Sequence, residues 1–271
     1  MIDSKTQLPV GVFDSGIGGL TIARSICKLL PHEDILYFGD TARLPYGSKS
    51  RSTIIRFSIE NAVFLSMRGV KVIVVACNTV SAVSLDALRS FICIPVLGVV
   101  ESGALGAVRA SKTKRIGVIG TKTTVAAKAY SKAIHSLEPD AEVFEIATPL
   151  LVHLVEENWI EREITLKILK EYLAPLFRND IDTLVLGCTH YPFLASRIHE
   201  IAGDVKLVDA GEETATLVLN TLRVNSIVHE RQTQGKMKVF LSDAHPDFSS
   251  WANNLLGMEI VPEISHSHNF S

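Results

Sequence analysis

Val72-Ile73-Val74-Val75-Ala76-Cys77-Asn78-Thr79 and Thr183-Leu184-Val185-Leu186-Gly187-Cys188-Thr189-His190 are two versions of one pattern: a short apolar, branched run that ends in cysteine and passes at once into small polar residues. Such a run, with no polar alternation, predicts a strand buried on both faces, as in parallel sheets. Open α/β sheets bind ligands beyond the carboxyl ends of their strands, where each cysteine falls. The two cysteines lie about 110 residues apart and read as two copies of one site element.

The flanking sequence supports the duplication. Val10–Phe13 predicts a first strand, broken by Asp14-Ser15-Gly16-Ile17-Gly18-Gly19 and followed by helical spacing over Leu20–Leu30. A strand, a glycine-rich turn and a helix would present backbone N–H groups to an anion. The third glycine of the dinucleotide fingerprint would fall at Thr21, a poor match. Ile35–Gly39 predicts a strand ending at Asp40, Thr41–Ser50 a polar loop holding Pro45-Tyr46-Gly47, Thr53–Arg68 a helix, Thr79–Arg89 a helix and Ile94–Val100 a strand. The order then restarts with strand Arg115–Gly120, Thr121-Lys122-Thr123-Thr124, helix Val125–Ser136 and strand Glu142–Ala147. Helix Ile164–Phe177, the second cysteine strand, helix Phe193–Ala202, strand Val205–Asp209 and helix Glu213–Val224 complete it. Strands and a short helix are expected in Lys236–Ser242 and Leu255–Pro262. Val12-Phe13-Asp14 falls opposite Val118-Ile119-Gly120, the Asp40 loop opposite Ala147–Pro149, Cys77 opposite Cys188, and Val99-Val100 opposite Val208-Asp209. Four matched landmarks in order predict two similar parallel-sheet α/β domains, 1–99 with 210–271, and 100–209.

Bulk properties exclude several classes. With 271 residues, 47% hydrophobic and 21% charged, the chain has the balance of a soluble globular protein. A net charge of −2 gives no basic surface for nucleic acid, and no apolar run reaches membrane-spanning length. Met1–Gln7 is polar, without a stretch of signal-peptide type, so a cytoplasmic location is the expectation. Cys27 and Cys93 sit in apolar runs and read as small core residues, while His266 and His268 read as part of a solvated tail.

Two similar units packed face to face about a pseudo-twofold would bring equivalent strand ends together across a cleft, with Cys77 and Cys188 on opposite sides of one ligand. One thiolate can then remove a proton from carbon while the opposing thiol returns one to the other face, inverting a stereocentre without a cofactor. A free thiol has a pKa of about 8.5 and needs help. His190, two residues after Cys188, can exchange its proton; Asp14, ending the first strand, is the acid/base partner expected near Cys77. A helix starting after each cysteine would stabilise its thiolate. The same four groups could ligate zinc, and Cys188 with His190 could serve a hydrolase, but neither alternative explains the repeat. No lysine sits at either cysteine motif, against a Schiff-base enzyme.

Gly11-Val12-Phe13-Asp14-Ser15-Gly16-Ile17-Gly18-Gly19-Leu20, Pro45-Tyr46-Gly47, Ala76-Cys77-Asn78-Thr79 and Gly187-Cys188-Thr189-His190-Tyr191-Pro192 together resemble the glutamate racemase family, over about Leu8–Glu213. The resemblance implies interconversion of L- and D-glutamate for peptidoglycan, a cleft between two α/β domains, two cysteine acid/bases, and neither pyridoxal phosphate nor metal. It implies that Cys77 acts on D-glutamate and Cys188 on L-glutamate. Substrate contacts carry over to Asp14, Ser15, Tyr46, Gly47, Asn78, Thr79, Thr189 and His190; the repeat and the family together add Thr121 and Thr124. Glu156 matches an acidic residue near the second cysteine. Members are often homodimers. Many carry cysteine where this chain has Thr148, a position that is neither acid nor base.

Overall fold

The computed structural model of the chain describes residues 4–246, 248–257 and 259–265. Strand and helix alternate through β1 (Val10–Asp14), α1 (Leu20–Leu29), β2 (Ile35–Gly39), α2 (Arg51–Met67), β3 (Val72–Val75), α3 (Asn78–Phe91), β4 (Val96–Gly98) and α4 (Val99–Ala110). The alternation recurs as β5 (Arg115–Gly120), α5 (Lys122–Ala126), α6 (Ala129–Leu137), β6 (Glu142–Ala147), α7 (Leu150–Glu156), α8 (Glu163–Phe177), β7 (Thr183–Gly187), α9 (Ala195–Ala202), β8 (Lys206–Val208) and α10 (Gly211–Val224). Then come β9 (Met237–Leu241), α11 (Phe248–Leu256) and β10 (Glu263–Ile264).

The strands form two sheets, ordered β10-β9-β2-β1-β3-β4 and β6-β5-β7-β8, and every pairing is parallel. Within the first, β2-β1-β3-β4 has the same order as the whole of the second, so the duplication is topological. The cysteine strands are apolar throughout because both faces are covered. Val72 and Val74 enter one core while Ile73 and Val75 enter another. Leu184 and Leu186 likewise part from Val185. Full burial of one such side chain is worth about 1.5–3 kcal/mol, so a register slip that exposed either strand would be strongly disfavoured.

Several local expectations change. Ile94–Val100 is strand only at Val96–Gly98; the chain turns at Gly98, and Val99 opens α4. Glu101 suits the positive end of that helix, and Gly103, Ala104 and Ala107 line its buried side. Val125–Ser136 is two helices, because Lys128 adopts φ +50° between α5 and α6. Cys77 caps α3 directly, but no helix starts at Cys188; a 3-10 turn, Tyr191–Leu194, leads into α9. Leu255 and Leu256 finish α11, and the last strand lies at Glu263–Ile264. Cys93 is exposed rather than a core residue, while Cys27 is partly buried. His266 and His268 lie outside the described residues. Among the described residues no helix is long and apolar enough to cross a membrane.

Candidate active site

The carboxyl ends of β1, β3, β5 and β7 surround a cavity of about 130 Å³. Ser15, Tyr46, Gly47, Cys77, Asn78, Thr79, Thr121, Glu156, Cys188, Thr189 and His190 all line it. Asp14 and Thr124 do not; they stand behind its wall, 0% and 1% exposed.

The glycine-rich turn after β1 has a different use from the one expected. Asp14 itself is the anion it holds: Oδ2 accepts the N–H groups of Gly16 and Gly19, each at 3.1 Å. Oδ1 is buried and has no hydrogen bond among the described residues. Burial pushes the Asp14 pKa up, against the His190 charge and the backbone N–H groups, which pull it down. The turn presses on the second cysteine loop: a Cβ at Gly18 would lie 2.6 Å from Thr189 Oγ1 and 3.0 Å from His190 Nδ1. Only a residue without a side chain lets the two loops close on each other there.

The two cysteines have unlike neighbours. The Cys77 Sγ–H donates to Ser15 Oγ at 3.5 Å. Burial pushes the Cys77 pKa up to about 12, helped by the Asp14 charge and opposed by Ser15, a backbone N–H and its place at the start of a helix. Cys77 is therefore a thiol, poised to give a proton. Cys188 Sγ lies 3.7 Å from His190 Nδ1. On the other side of that ring, Nε2 is 3.3 Å from Glu156 Oε1. Burial alone would lower the His190 pKa, but the contacts with Cys188 and Glu156 win and carry it up to about 10. Trp251 meets the ring edge-on, with centroids 6.1 Å apart. Glu156 keeps its proton off for the reciprocal reason: burial raises its pKa, and the His190 and His153 contacts bring it below its ordinary value.

Hydroxyls close the floor. Thr121 Oγ1 lies 2.9 Å from both Thr79 Oγ1 and Thr124 Oγ1, linking α3 to α5. Thr123 Oγ1 donates to Gly47 O at 3.0 Å, which fastens the Tyr46–Ser48 turn to the second sheet's side. The Tyr46 hydroxyl points elsewhere, donating to Asp40 Oδ2, which Arg43 also holds, while Ser242 donates to Asp40 Oδ1. Tyr46 thus offers the cavity its ring rather than a polar hand. Thr148 is fully buried and donates to the Tyr191 hydroxyl at 2.8 Å, a structural tie below the site.

Gly16, Leu44, Pro45, Ser48, Lys122, Pro149, Val152 and His153 also line the cavity. Pro149, Val152 and His153 come with α7, a helix beyond those expected from the sequence; the apolar run Leu150–Val155 is its trace. Lys122 follows Thr121 in the strand-end tetrapeptide already singled out. Among the described residues no group of three or more His, Cys, Asp or Glu gathers as metal ligands would.

The Asp/Glu/hydantoin racemase family model matches residues 21–218. A glutamate racemase of Geobacter metallireducens is 48% identical over 249 residues, 92% of each chain. Two solved structures superpose closely. One, a glutamate racemase from Bacillus anthracis, has a TM-score of 0.92 at 38% identity, covering 96% of this chain and 98% of that one. The other, a glutamate racemase from Francisella tularensis in complex with D-glutamate, has 0.91 at 36%, covering 98% and 100%.

Proposed function

From the premise that this chain belongs to the Asp/Glu/hydantoin racemase family and is an isomerase of the glutamate racemase type, we propose that Cys77 and Cys188 invert glutamate by two-base proton exchange, without a cofactor. The observation that carries the proposal is that equivalent strand ends of two like-ordered sheets deliver one cysteine each to a single cavity. The cavity lies between the units 1–99 with 210–271 and 100–209, related by a pseudo-twofold. Glutamate, not aspartate, is favoured by the relatives just described.

With L-glutamate bound, the Cys188 thiolate takes the α-proton: the Cα–H bond breaks and an S–H bond forms. The Cys77 thiol gives its proton to the opposite face, leaving a thiolate and D-glutamate. The reverse sequence runs from D-glutamate. The resting arrangement suits this order, since burial keeps Cys77 protonated and a charged imidazole stands beside Cys188. The α-proton is weakly acidic, so the carbanion needs donors around the α-carboxylate; Ser15, Asn78, Thr79 and Thr189 are neutral donors in the right loops. Lost water strengthens each contact. The product D-glutamate supplies peptidoglycan synthesis.

In D2O, each inversion of either enantiomer is expected to place deuterium at Cα. Cys77→Ser and Cys188→Ser should each lower racemisation by about two to four orders of magnitude, the usual worth of a positioned acid or base. Near-normal racemisation by either variant, followed by circular dichroism, would remove the two-base reading. A trapped acyl-enzyme in mass spectra would point instead to nucleophilic chemistry.

A further inference from the structure

Tyr130, the second residue of α6, touches the neighbours of both cysteines. Its hydroxyl lies 2.6 Å from Oδ1 of Asn78, the residue after Cys77, and both side chains are buried. Its ring lies against Gly187, the residue before Cys188: a Cβ there would sit 3.0 Å from Tyr130 Cε2. From the other side α4 closes in, with a Cβ at Gly103 falling 2.9 Å from the hydroxyl. The side chain is thus fixed between one glycine of β7 and one of α4, with its polar end delivered to the opposite unit.

Resting on the reading of Asn78 as a substrate contact, we propose that Tyr130 is the positioning residue that decides which end of the Asn78 carboxamide faces the ligand. An asparagine side chain has a donor end and an acceptor end of nearly equal shape. Turned one way it offers an anionic carboxylate two N–H bonds; turned the other way it offers a repelling oxygen. Burial raises the Tyr130 pKa, with the Cys188 and Asp209 charges adding to it, so the phenol keeps its proton, and among the described residues Asn78 is the one hydrogen-bond partner of this buried O–H, which therefore donates to it. A donor must take the amide oxygen. The Asn78 NH2 group, which has no hydrogen bond to another described residue, is then the end left for the cavity that Asn78 lines. The same bond ties the loop of Cys77 to the wall of Cys188, so Tyr130 also helps set the separation of the two sulfurs.

The test is a double-mutant cycle on the full-length enzyme, with racemisation of both glutamate enantiomers and calorimetric binding of D-glutamate. Tyr130→Phe keeps the ring and removes the hydroxyl; kcat/KM is expected to fall roughly ten-fold, with D-glutamate affinity falling by a similar factor, the scale of one oriented hydrogen bond. Asn78→Ala should cost more, and Tyr130→Phe should add nothing to it, because the phenol acts through the amide. A Tyr130→Phe enzyme with wild-type kcat/KM, or losses that multiply in the double variant, would overturn the proposal. Should Tyr130→Phe not fold, Asn78→Asp takes its place. It keeps an oxygen for Tyr130 but replaces the donor end by a second oxygen, and retained D-glutamate affinity would overturn the assignment. Wild-type activity separates the two levels. A wild type that does not racemise glutamate refutes the parent reading, whereas an active wild type with an unaffected Tyr130→Phe refutes only the positioning role.

Discussion

Cys77 and Cys188 end equivalent strands yet meet different company: a serine hydroxyl and a buried carboxylate beside one, an imidazole backed by Glu156 beside the other. Replacing Asp14 by Asn and His190 by Gln should therefore act on different half-reactions. The equilibrium constant between enantiomers is unity, so kcat/KM must fall equally in both directions for any variant. The asymmetry appears in kcat and KM separately, and in the α-deuterium isotope effect, which should rise for L-glutamate in His190→Gln and for D-glutamate in Asp14→Asn. Equal isotope effects from both enantiomers in both variants would show that the two residues serve binding alone. His190 also makes stability depend on pH. Its folded pKa, about 10, lies above the ordinary 6.5, so the folded chain holds that proton more tightly than the unfolded chain. The stabilisation is complete below 6.5 and is lost as pH rises through 10. Urea midpoints should decline across that window in the wild type and less steeply in His190→Gln; parallel declines would assign the effect to another group. Cys77, Cys188, Asp14 and His190 were legible because each ends or follows a recognisable strand. The Ser15 hydrogen bond to Cys77 was not, since it joins positions 62 apart through folding rather than spacing.

Thr121 shows how one element's end serves two purposes. It is the N-cap of α5, accepting the Thr124 N–H at 3.2 Å, and its hydroxyl also meets Thr79 at the start of α3. Thr121→Val keeps the shape and removes both links. It should lower the stability measured by urea unfolding by about 1–2 kcal/mol; an unchanged midpoint would mean that water replaces the hydroxyl without loss. Strands and long amphipathic helices were readable because burial on two faces, or on one stripe, writes a period into the sequence. α4 was not, because it is pressed between α6, α10 and β7 and carries small residues where the packing is closest. Its apolar start continues the β4 run without a break, so periodicity alone could not divide strand from helix.

At the scale of the whole molecule the duplication was legible because a strand order repeated in space leaves landmarks repeated in sequence. The carboxyl-terminal additions have no such echo. β9 pairs with β2, joining Met237 to Ile35, and β10 pairs with β9, beyond the edge of the duplicated four strands. The second sheet draws all its strands from one unbroken segment, Arg115–Val208, while the first waits for a segment made after it. On the ribosome this reverses the order of the genes' own text. Domains fold as units when their last strand emerges, so the later-encoded sheet is expected to reach its native pairing first. The earlier one stays with β2 as an open edge until the final strands arrive. Limited proteolysis of a chain ending at residue 225 and released from the ribosome should find 115–208 protected and 10–98 still cleavable; protection of both would mean that the first sheet closes without β9. Until then, an unpaired Ile35–Gly39 edge is the part of the nascent chain most open to pairing with a stranger.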